Sequence, residues 1–165
     1  MTTPRQVDLQ RIAQQQQQLQ FAAFDKASAW ALGTRLKQAC EATDVATTIE
    51  VRLAKETVFL YAMPGTAPNN ADWARRKRNV VEVMEQSSYA VGLAAEEEGV
   101  PLEVAMGLDT RDYAPHGGSF PLIVKGVGCV GAVTISGLPQ REDHALVVEV
   151  LALMCGVNPA EVALP

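Results

Sequence analysis

Aromatic residues and positive charge are both scarce in this chain. Phe, Trp and Tyr make up 5% of its 165 residues, and 14 Lys and Arg residues stand against 19 Asp and Glu residues, so the formal net charge is −5. Proteins that bind single-stranded nucleic acid stack bases on aromatic side chains, and an acidic surface is repelled by phosphate. We therefore expect no nucleic-acid partner.

Cysteine and histidine are also scarce. The three cysteines, Cys40, Cys129 and Cys155, are widely spaced and odd in number, so they form neither a C-x-x-C motif nor a disulfide framework. Only two histidines occur, His116 and His144, which is too few for a conventional zinc site within one chain unless a carboxylate joins them. We therefore predict a reduced, cytoplasmic protein without a metal site of its own.

The chain has no long hydrophobic run. No apolar stretch reaches the ~18 residues that a membrane-spanning helix needs, and the first five residues lack the apolar core of a secretory signal. We expect no membrane partner. A chain of 165 residues that is 48% hydrophobic suits one domain with a sizeable core.

The N-terminal segment is rich in glutamine. The run Gln14 to Gln18 lies among apolar residues at roughly helical spacing, and glutamine is a good helix former. This pattern predicts a helix with little buried face, which would be a surface helix or a subunit arm over residues 1–20. The remaining residues, 21–165, then form a single domain.

Two stretches of the chain favour β-hairpins. Apolar and polar residues alternate from Thr47 to Leu53, and a second strand from Thr57 to Met63 follows a short turn. Phe120 to Val124 and Val127 to Ser136 form the second predicted hairpin. Strands joined by tight turns pair antiparallel, so we expect a mainly antiparallel sheet.

Helical spacing of apolar residues predicts the rest of the fold. One helix is expected over residues 25–42 and a last one from Pro139 to Met154. Residues 71–98 have the pattern of one long helix, or of two halves broken near Gln86 to Ser88. Helices before, between and after the hairpins indicate an α+β fold, an antiparallel sheet flanked by helices.

Charges along residues 71–98 are placed against the helix dipole. The basic residues Arg75, Arg76, Lys77 and Arg78 lie near the start, and three glutamates lie at the end. The whole chain has the same division, with a net charge of +4 over residues 1–78 and −9 over residues 79–165. Three interpretations remain open: an anionic ligand at Arg75, Lys77 and Arg78, charge contacts between subunits, or a solvated basic patch.

The segment from His116 to Pro121 is the most distinctive in the chain. Gly117 and Gly118 permit positive φ and a close approach of backbone N–H groups to a ligand. His116 beside them is a candidate general base, metal ligand or haem ligand. The alternative is a tight loop that leads into a strand. A hydrolase would also need a Gly-x-Ser-x-Gly nucleophile elbow, which the sequence lacks.

His144 is the second candidate. It falls in the first turn of the last predicted helix, with Val148 and Leu151 on the same side, so its ring is expected at the edge of the core. A helix N-terminus disfavours a cationic imidazole. A neutral His144 is either a metal or haem ligand or a hydrogen-bonded structural residue.

Three separated motifs of the sequence resemble those of a known protein family. The segments NNADWARRKRNVVE, HGGSFP and GVGCVGAVTISGLPQREDHALVVEVL occur in this order. The chain resembles the uncharacterised branch of the GlcG/HbpS-like superfamily, also called the haem-degrading domain, which includes the C-terminal domain of PduO-type proteins. The likeness extends over residues 21–155 and leaves the glutamine-rich start outside it.

The resemblance implies a profilin-like or PAS-like layout, assembly into homo-oligomers, and binding of haem, corrinoid or another small ligand. The positions that match the family's motifs are Trp73, Arg75, Lys77, His116, Gly117, Gly118, Phe120, Gly131, Ser136, Gly137, Asp143 and His144. Secreted haem-binding relatives have export signals, and such a signal is not recognisable here.

Three functional hypotheses follow. The first is a cytoplasmic, homo-oligomeric module that binds a small anionic ligand, either haem or another tetrapyrrole or a carboxylate, between the basic helix and the His116 loop. The second is an enzyme that degrades haem or uses His116 as an acid–base group. The third is an assembly or partner-binding protein without a ligand.

Overall fold

A five-stranded sheet forms the centre of the protein, and helices cover both of its faces. The computed structural model describes all 165 residues. The elements in chain order are α1 (Pro4–Gln18), β1 (Gln20–Phe21), α2 (Lys26–Ala42), β2 (Thr48–Leu53), β3 (Glu56–Ala62), α3 (Pro68–Met84), α4 (Ser88–Glu98), α5 (Leu102–Met106), β4 (Ser119–Val124), β5 (Gly128–Ser136), α6 (Gln140–Met154) and α7 (Pro159–Val162). No helix combines the length and the apolar character needed to cross a bilayer.

The strand order in the sheet is β1-β4-β5-β2-β3. The pairs β2–β3, β2–β5 and β4–β5 are antiparallel, and only the two-residue β1 pairs in parallel, with β4. The predicted α+β class, the antiparallel sheet and both hairpins are confirmed. Ala54 and Lys55 form the first turn with φ of 50° and 64°, the left-handed conformation that tight hairpins require.

The two faces of the sheet have different chemistry. Ile49 and Val51 point toward α2 and α6 and join a core of 21 buried residues. Glu50 and Arg52 alternate with them and point to the other face, where they bind residues of α3. Alternate residues of β2 therefore face an apolar layer on one side of the sheet and an ion-paired layer on the other, and helices cover both layers.

The long helical pattern is broken into two helices. Glu85 adopts a left-handed conformation with φ of 53° and ends α3, and the Ser87 side chain then caps α4 by accepting a hydrogen bond from Ala90 N. Because α3 begins at Pro68, the basic residues 75–78 lie in its middle. The expected conflict with the helix dipole at this position was wrong.

The N-terminal helix has a larger buried face than expected. Asp8, Ile12 and Gln15 of α1 are buried, and the Gln16 side chain accepts a hydrogen bond from Ser87 N at 3.1 Å. Two glutamines of the run thus form specific contacts inside the chain. The sequence pattern missed them because buried glutamines do not contribute to hydrophobic periodicity.

Basic residues from the first half of the sequence form ion pairs with acidic residues from the second half in the same chain. Arg5 of α1 binds both Glu96 and Glu97 at the end of α4, at 3.1 and 3.3 Å. Arg78 and Glu50 form a further pair at 3.1 Å, with both side chains largely buried. The Arg5 contacts join the basic and acidic parts of the sequence within one subunit, whereas Arg78 and Glu50 both lie within residues 1–78. Contacts between subunits were one of three interpretations of this charge division.

Candidate functional site

An open cleft of about 250 Å³ lies between the N-terminal half of α3, the His116 loop and the turn between β5 and α6. We call it the polar cleft. Its lining consists of Asn69, Asn70, Trp73, Lys77, His116, Ser136, Gly137, Leu138 and Gln140. Four of the residues predicted for the site, Trp73, Lys77, His116 and Ser136, therefore meet at one place.

His116 is the exposed ionisable group of this cleft. Its imidazole contacts the Trp73 indole edge to face, with ring centroids 5.2 Å apart, and has no hydrogen-bond partner within the chain. Partial desolvation lowers the pKa of His116, and the positive charges of Lys77 and Arg76 lower it further. The imidazole is therefore neutral at pH 7, with a free nitrogen lone pair.

A cation–π contact with Arg76 holds the Trp73 indole in place. The Arg76 guanidinium carbon lies 4.6 Å from the centroid of the Trp73 ring, a cation–π contact. The same guanidinium donates a hydrogen bond to Thr110 O at 2.7 Å. Arg76 thus fixes the indole that in turn contacts His116.

A buried ion pair forms one wall of the cleft. Lys77 is 4% exposed, and its ammonium donates to Asp143 Oδ2 at 2.9 Å and to Ile135 O at 3.4 Å. Asp143 Oδ1 accepts the N–H of Leu138 at 3.0 Å. Burial raises the pKa of Asp143, and Lys77 acts against this rise. The pair clamps the β5–α6 turn onto α3, so most of the charge of Lys77 is already balanced.

The two glycines of the loop serve close packing. Gly117 N donates to the Gln140 side chain at 3.0 Å, and a Cβ at Gly117 would lie 2.2 Å from Gln140 O. Gly118 has φ of 135°, and its Cβ would lie 2.5 Å from Ile135 O. The loop therefore packs directly against β5 and α6, and the N–H of Gly117 is already used inside the protein.

Arg75 and Arg78 lie outside the cleft. Arg75 binds Asp112 at 2.9 Å and so holds the loop that precedes the His116 segment. Arg78 binds Glu50 on the sheet. Neighbouring residues of a helix point in different directions, so only Lys77 of the three expected cations reaches the cleft. The anion site expected from Arg75, Lys77 and Arg78 together is not assembled.

His144 and Phe120 also lie outside the cleft, in the core. His144 is 1% exposed, and its Nε2 atom lies 2.8 Å from Oε1 of Gln15. Burial lowers the pKa of His144 to about 3, with a smaller effect from Arg141. The Phe120 ring is fully buried, with its centroid 5.9 Å from that of His144. The expectation that His144 would reach the core edge was wrong, because α1 covers it.

Sequence reasoning missed several cleft residues. Asn69, Asn70, Leu138 and Gln140 line the cleft without having been selected. The available signal was their position inside the same motifs that carry the family resemblance, beside Trp73 in one motif and before Asp143 in another. No group of three or more His, Cys, Asp or Glu side chains is arranged to hold a metal ion.

The protein is thus a small α+β domain with one exposed, neutral histidine in its polar cleft. The family described as "Haem degrading protein HbpS-like" matches residues 24–152. The chain belongs to this HbpS-like family, and the resemblance seen in the three motifs is confirmed. It is 55% identical over 157 residues to a UPF0303 protein of Azotobacter vinelandii, covering 95% of both chains. It is 48% identical to a UPF0303 protein of Serratia proteamaculans, covering 92% of this chain and 94% of the relative.

Solved structures share the fold. The Ybr137w protein is 24% identical with a TM-score of 0.80, covering 90% of this chain and 87% of that one. HbpS is 15% identical with a TM-score of 0.65, covering 82% and 92%. PduOC, solved as a complex with heme, is 16% identical with a TM-score of 0.66, covering 80% and 94%.

Proposed function

We propose that this protein is a small-ligand-binding module, that its site is the polar cleft, and that haem is its ligand. One observation carries this proposal: His116 presents a neutral imidazole without a hydrogen-bond partner in an open cleft. Two further facts support haem as the ligand class. The family description names haem, and the neighbour PduOC was solved with heme.

The chain's own residues fit an iron tetrapyrrole. A neutral imidazole nitrogen is a common protein ligand of haem iron, and the bound group would supply an iron centre for ligand exchange or redox chemistry. His116 would donate the nitrogen, and Trp73 would orient the imidazole through the edge-to-face contact. His144 does not fit this role, because its Nε2 is hydrogen-bonded to the Gln15 side chain and the residue is buried.

A haemin titration followed by visible absorption tests the proposal. We expect a sharp Soret shift that saturates at a fixed ratio, and an affinity that falls about tenfold or more in His116→Ala, since the iron loses its protein ligand. His144→Gln is the matched control and should retain the shift wherever thermal melting shows it to be folded. An unshifted spectrum, or a shift that His116→Ala leaves intact, would overturn the proposal.

A small carboxylate is the second candidate ligand, and the size of the cleft favours it. Ligand pockets usually measure roughly 300–1,000 Å³, whereas this cleft measures about 250 Å³ and has a mostly polar lining. Acetate and benzoate are suitable probes, since a ligand that binds the native state raises the melting temperature. A rise with benzoate but no Soret shift with haemin would favour this candidate.

The same titration separates binding from turnover. With a reductant such as ascorbate present, a binding module keeps a stable haem spectrum. A haem-degrading enzyme would use dissolved oxygen and electrons from ascorbate to open the porphyrin ring, so the Soret band would be lost as a bile pigment forms. His116→Ala would abolish this reaction. We propose binding, so the stable spectrum is the expected result.

We also propose that the protein works in the cytoplasm as a homo-oligomer. The edge strand β3 exposes Leu60 at 62%, and Trp30 of α2 is 61% exposed beside Phe59 of the same strand. An apolar edge strand is a ready contact for a second copy. Light scattering should give a mass above 17.7 kDa that falls in Leu60→Lys. A monomeric wild-type mass would contradict this part of the proposal.

A further inference from the structure

His116 also lines a second cleft. This cleft measures about 310 Å³ and shares His116 and Gln140 with the polar cleft. Its remaining walls come mainly from the end of α4 and the segment that leads into α5. We call it the apolar cleft, and its apolar lining consists of Gly92, Ala95, Val100, Pro101, Leu102 and Pro115.

The two clefts differ in charge as well as in polarity. Lys77 lines the polar cleft, whereas Glu96 and Glu103 line the apolar one. The effects on the His116 pKa run in opposite senses, since Lys77 lowers it and the two glutamates raise it. Glu96 is bound to Arg5 at 3.1 Å, and Glu103 has no ion-pair partner in the chain. His116 therefore lines both clefts, one with the ion-paired Lys77 and the other with two glutamates.

We propose that one elongated, planar, amphipathic ligand lies across both clefts, with its carboxylate end in the polar cleft, its hydrocarbon end in the apolar cleft, and His116 against its middle. This inference rests on the proposed function and adds the extent and the direction of the bound ligand. Either cleft alone is close to the lower limit of ordinary ligand pockets, about 300 Å³. The two together fall within the usual range.

Polarity and charge give the direction of the ligand. A tetrapyrrole with propionates along one edge has hydrocarbon substituents along the opposite edge. The glutamates of the apolar cleft repel carboxylates, because like charges in a partly desolvated site interact strongly. Asn69 and Ser136 in the polar cleft offer hydrogen bonds to a carboxylate, and Lys77 adds the remaining positive potential.

The extent of the site is tested with haemin and two matched valine variants. Val100 is 40% exposed and lines the apolar cleft, whereas Val104 is 73% exposed on α5 and lines neither cleft. We expect Val100→Glu to weaken haemin binding about tenfold or more, and Val104→Glu to change it by less than about twofold. The Soret position should stay unchanged in both variants, because His116 is intact.

The direction of the ligand is tested with a charge in the polar cleft. Asn69 is exposed and lines that cleft. Asn69→Glu should weaken haemin about tenfold through repulsion of its carboxylates, and should leave haemin dimethyl ester, which has none, within about twofold of the wild type. Equal effects on haemin and the ester, or no effect on either, would overturn the proposed direction.

The outcomes separate this inference from the proposed function. If the wild-type protein does not bind haemin, both fail. If haemin binds through His116 but Val100→Glu behaves like Val104→Glu, the proposed function stands and the two-cleft inference is wrong. Circular dichroism confirms that each variant is folded before its affinity is compared.

Discussion

The Nε2 atom of His144 lies 2.8 Å from Oε1 of Gln15, and this bond joins α6 to the N-terminal helix. The Gln15 amide nitrogen donates to Val162 O of α7 at 2.7 Å, so its oxygen is the acceptor toward His144. Nε2 of His144 therefore carries a proton, and the neutral ring leaves Nδ1 unprotonated. The glutamine-rich helix is thus fastened to the core by a fully buried polar contact.

Replacing Gln15 should destabilise the protein strongly. Gln15→Leu leaves the His144 N–H and the Val162 carbonyl buried without partners, and each such loss costs about 1–3 kcal/mol. Gln17 belongs to the same run but is exposed, so Gln17→Leu is the matched control. Urea unfolding of both variants measures the difference. Equal midpoints for the two variants would show that the bond contributes nothing.

Acid should weaken the fold through His144. Burial lowers the pKa of His144 to about 3, below its ordinary value of 6.5. Below pH 6.5 the unfolded chain takes up a proton that the folded protein does not, so the free energy of unfolding falls by up to about 1.4 kcal/mol per pH unit. Unfolding between pH 7 and pH 5 measures this slope. His144→Gln should reduce it, even if that variant is less stable at pH 7, and an unchanged slope would refute the assignment.

The buried Lys77–Asp143 pair should behave as a coupled unit. Lys77→Met leaves the Asp143 carboxylate buried without its counter-ion, which costs about 3–5 kcal/mol. Adding Asp143→Leu should recover part of this loss, so the double variant is more stable than the sum of the single effects predicts. The exposed pair Arg111–Asp72 is the control, and Arg111→Met should cost about 1 kcal/mol or less. Strict additivity at Lys77 and Asp143 would contradict the coupling.

Gly118 and Gly126 separate backbone strain from crowding. Both have positive φ, but only Gly118 would bring a Cβ to 2.5 Å from Ile135 O, while nothing lies near Gly126. Gly126→Ala should cost only the strain of a left-handed residue, about 1–2 kcal/mol. Gly118→Ala should cost more and lower the melting temperature by several degrees beyond the control. Equal melting temperatures would show that the His116 loop can move away.

Much of the fold could be predicted from the sequence, because its signals are local. The alternation around Ile49 and a turn expected at Lys55 and Glu56 are sufficient to predict the first hairpin. The turn itself lies one residue earlier, at Ala54 and Lys55. The strand β1 was not predictable, since two residues show no periodicity. The break between α3 and α4 was recognised only as an alternative, because Glu85 gives no signal of its left-handed conformation.

The candidate site was only partly predictable, because its geometry depends on contacts between distant residues. The motifs selected Trp73, Lys77 and His116, and the structure brings these three together. The partners of the neighbouring arginines could not be read from the sequence. Arg78 lies 28 positions from Glu50 along the chain, and such long-range pairing follows only from the packing of α3 on the sheet.

Rescue of a His116 variant by free imidazole shows whether His116 binds the haem iron. His116→Gly removes the imidazole from an exposed loop position. We predict that this variant loses the Soret shift with haemin and regains it when free imidazole occupies the vacated space. Wild-type binding should be unaffected by the same imidazole concentration. If His116→Gly retains the full Soret shift without imidazole, His116 is not the haem ligand.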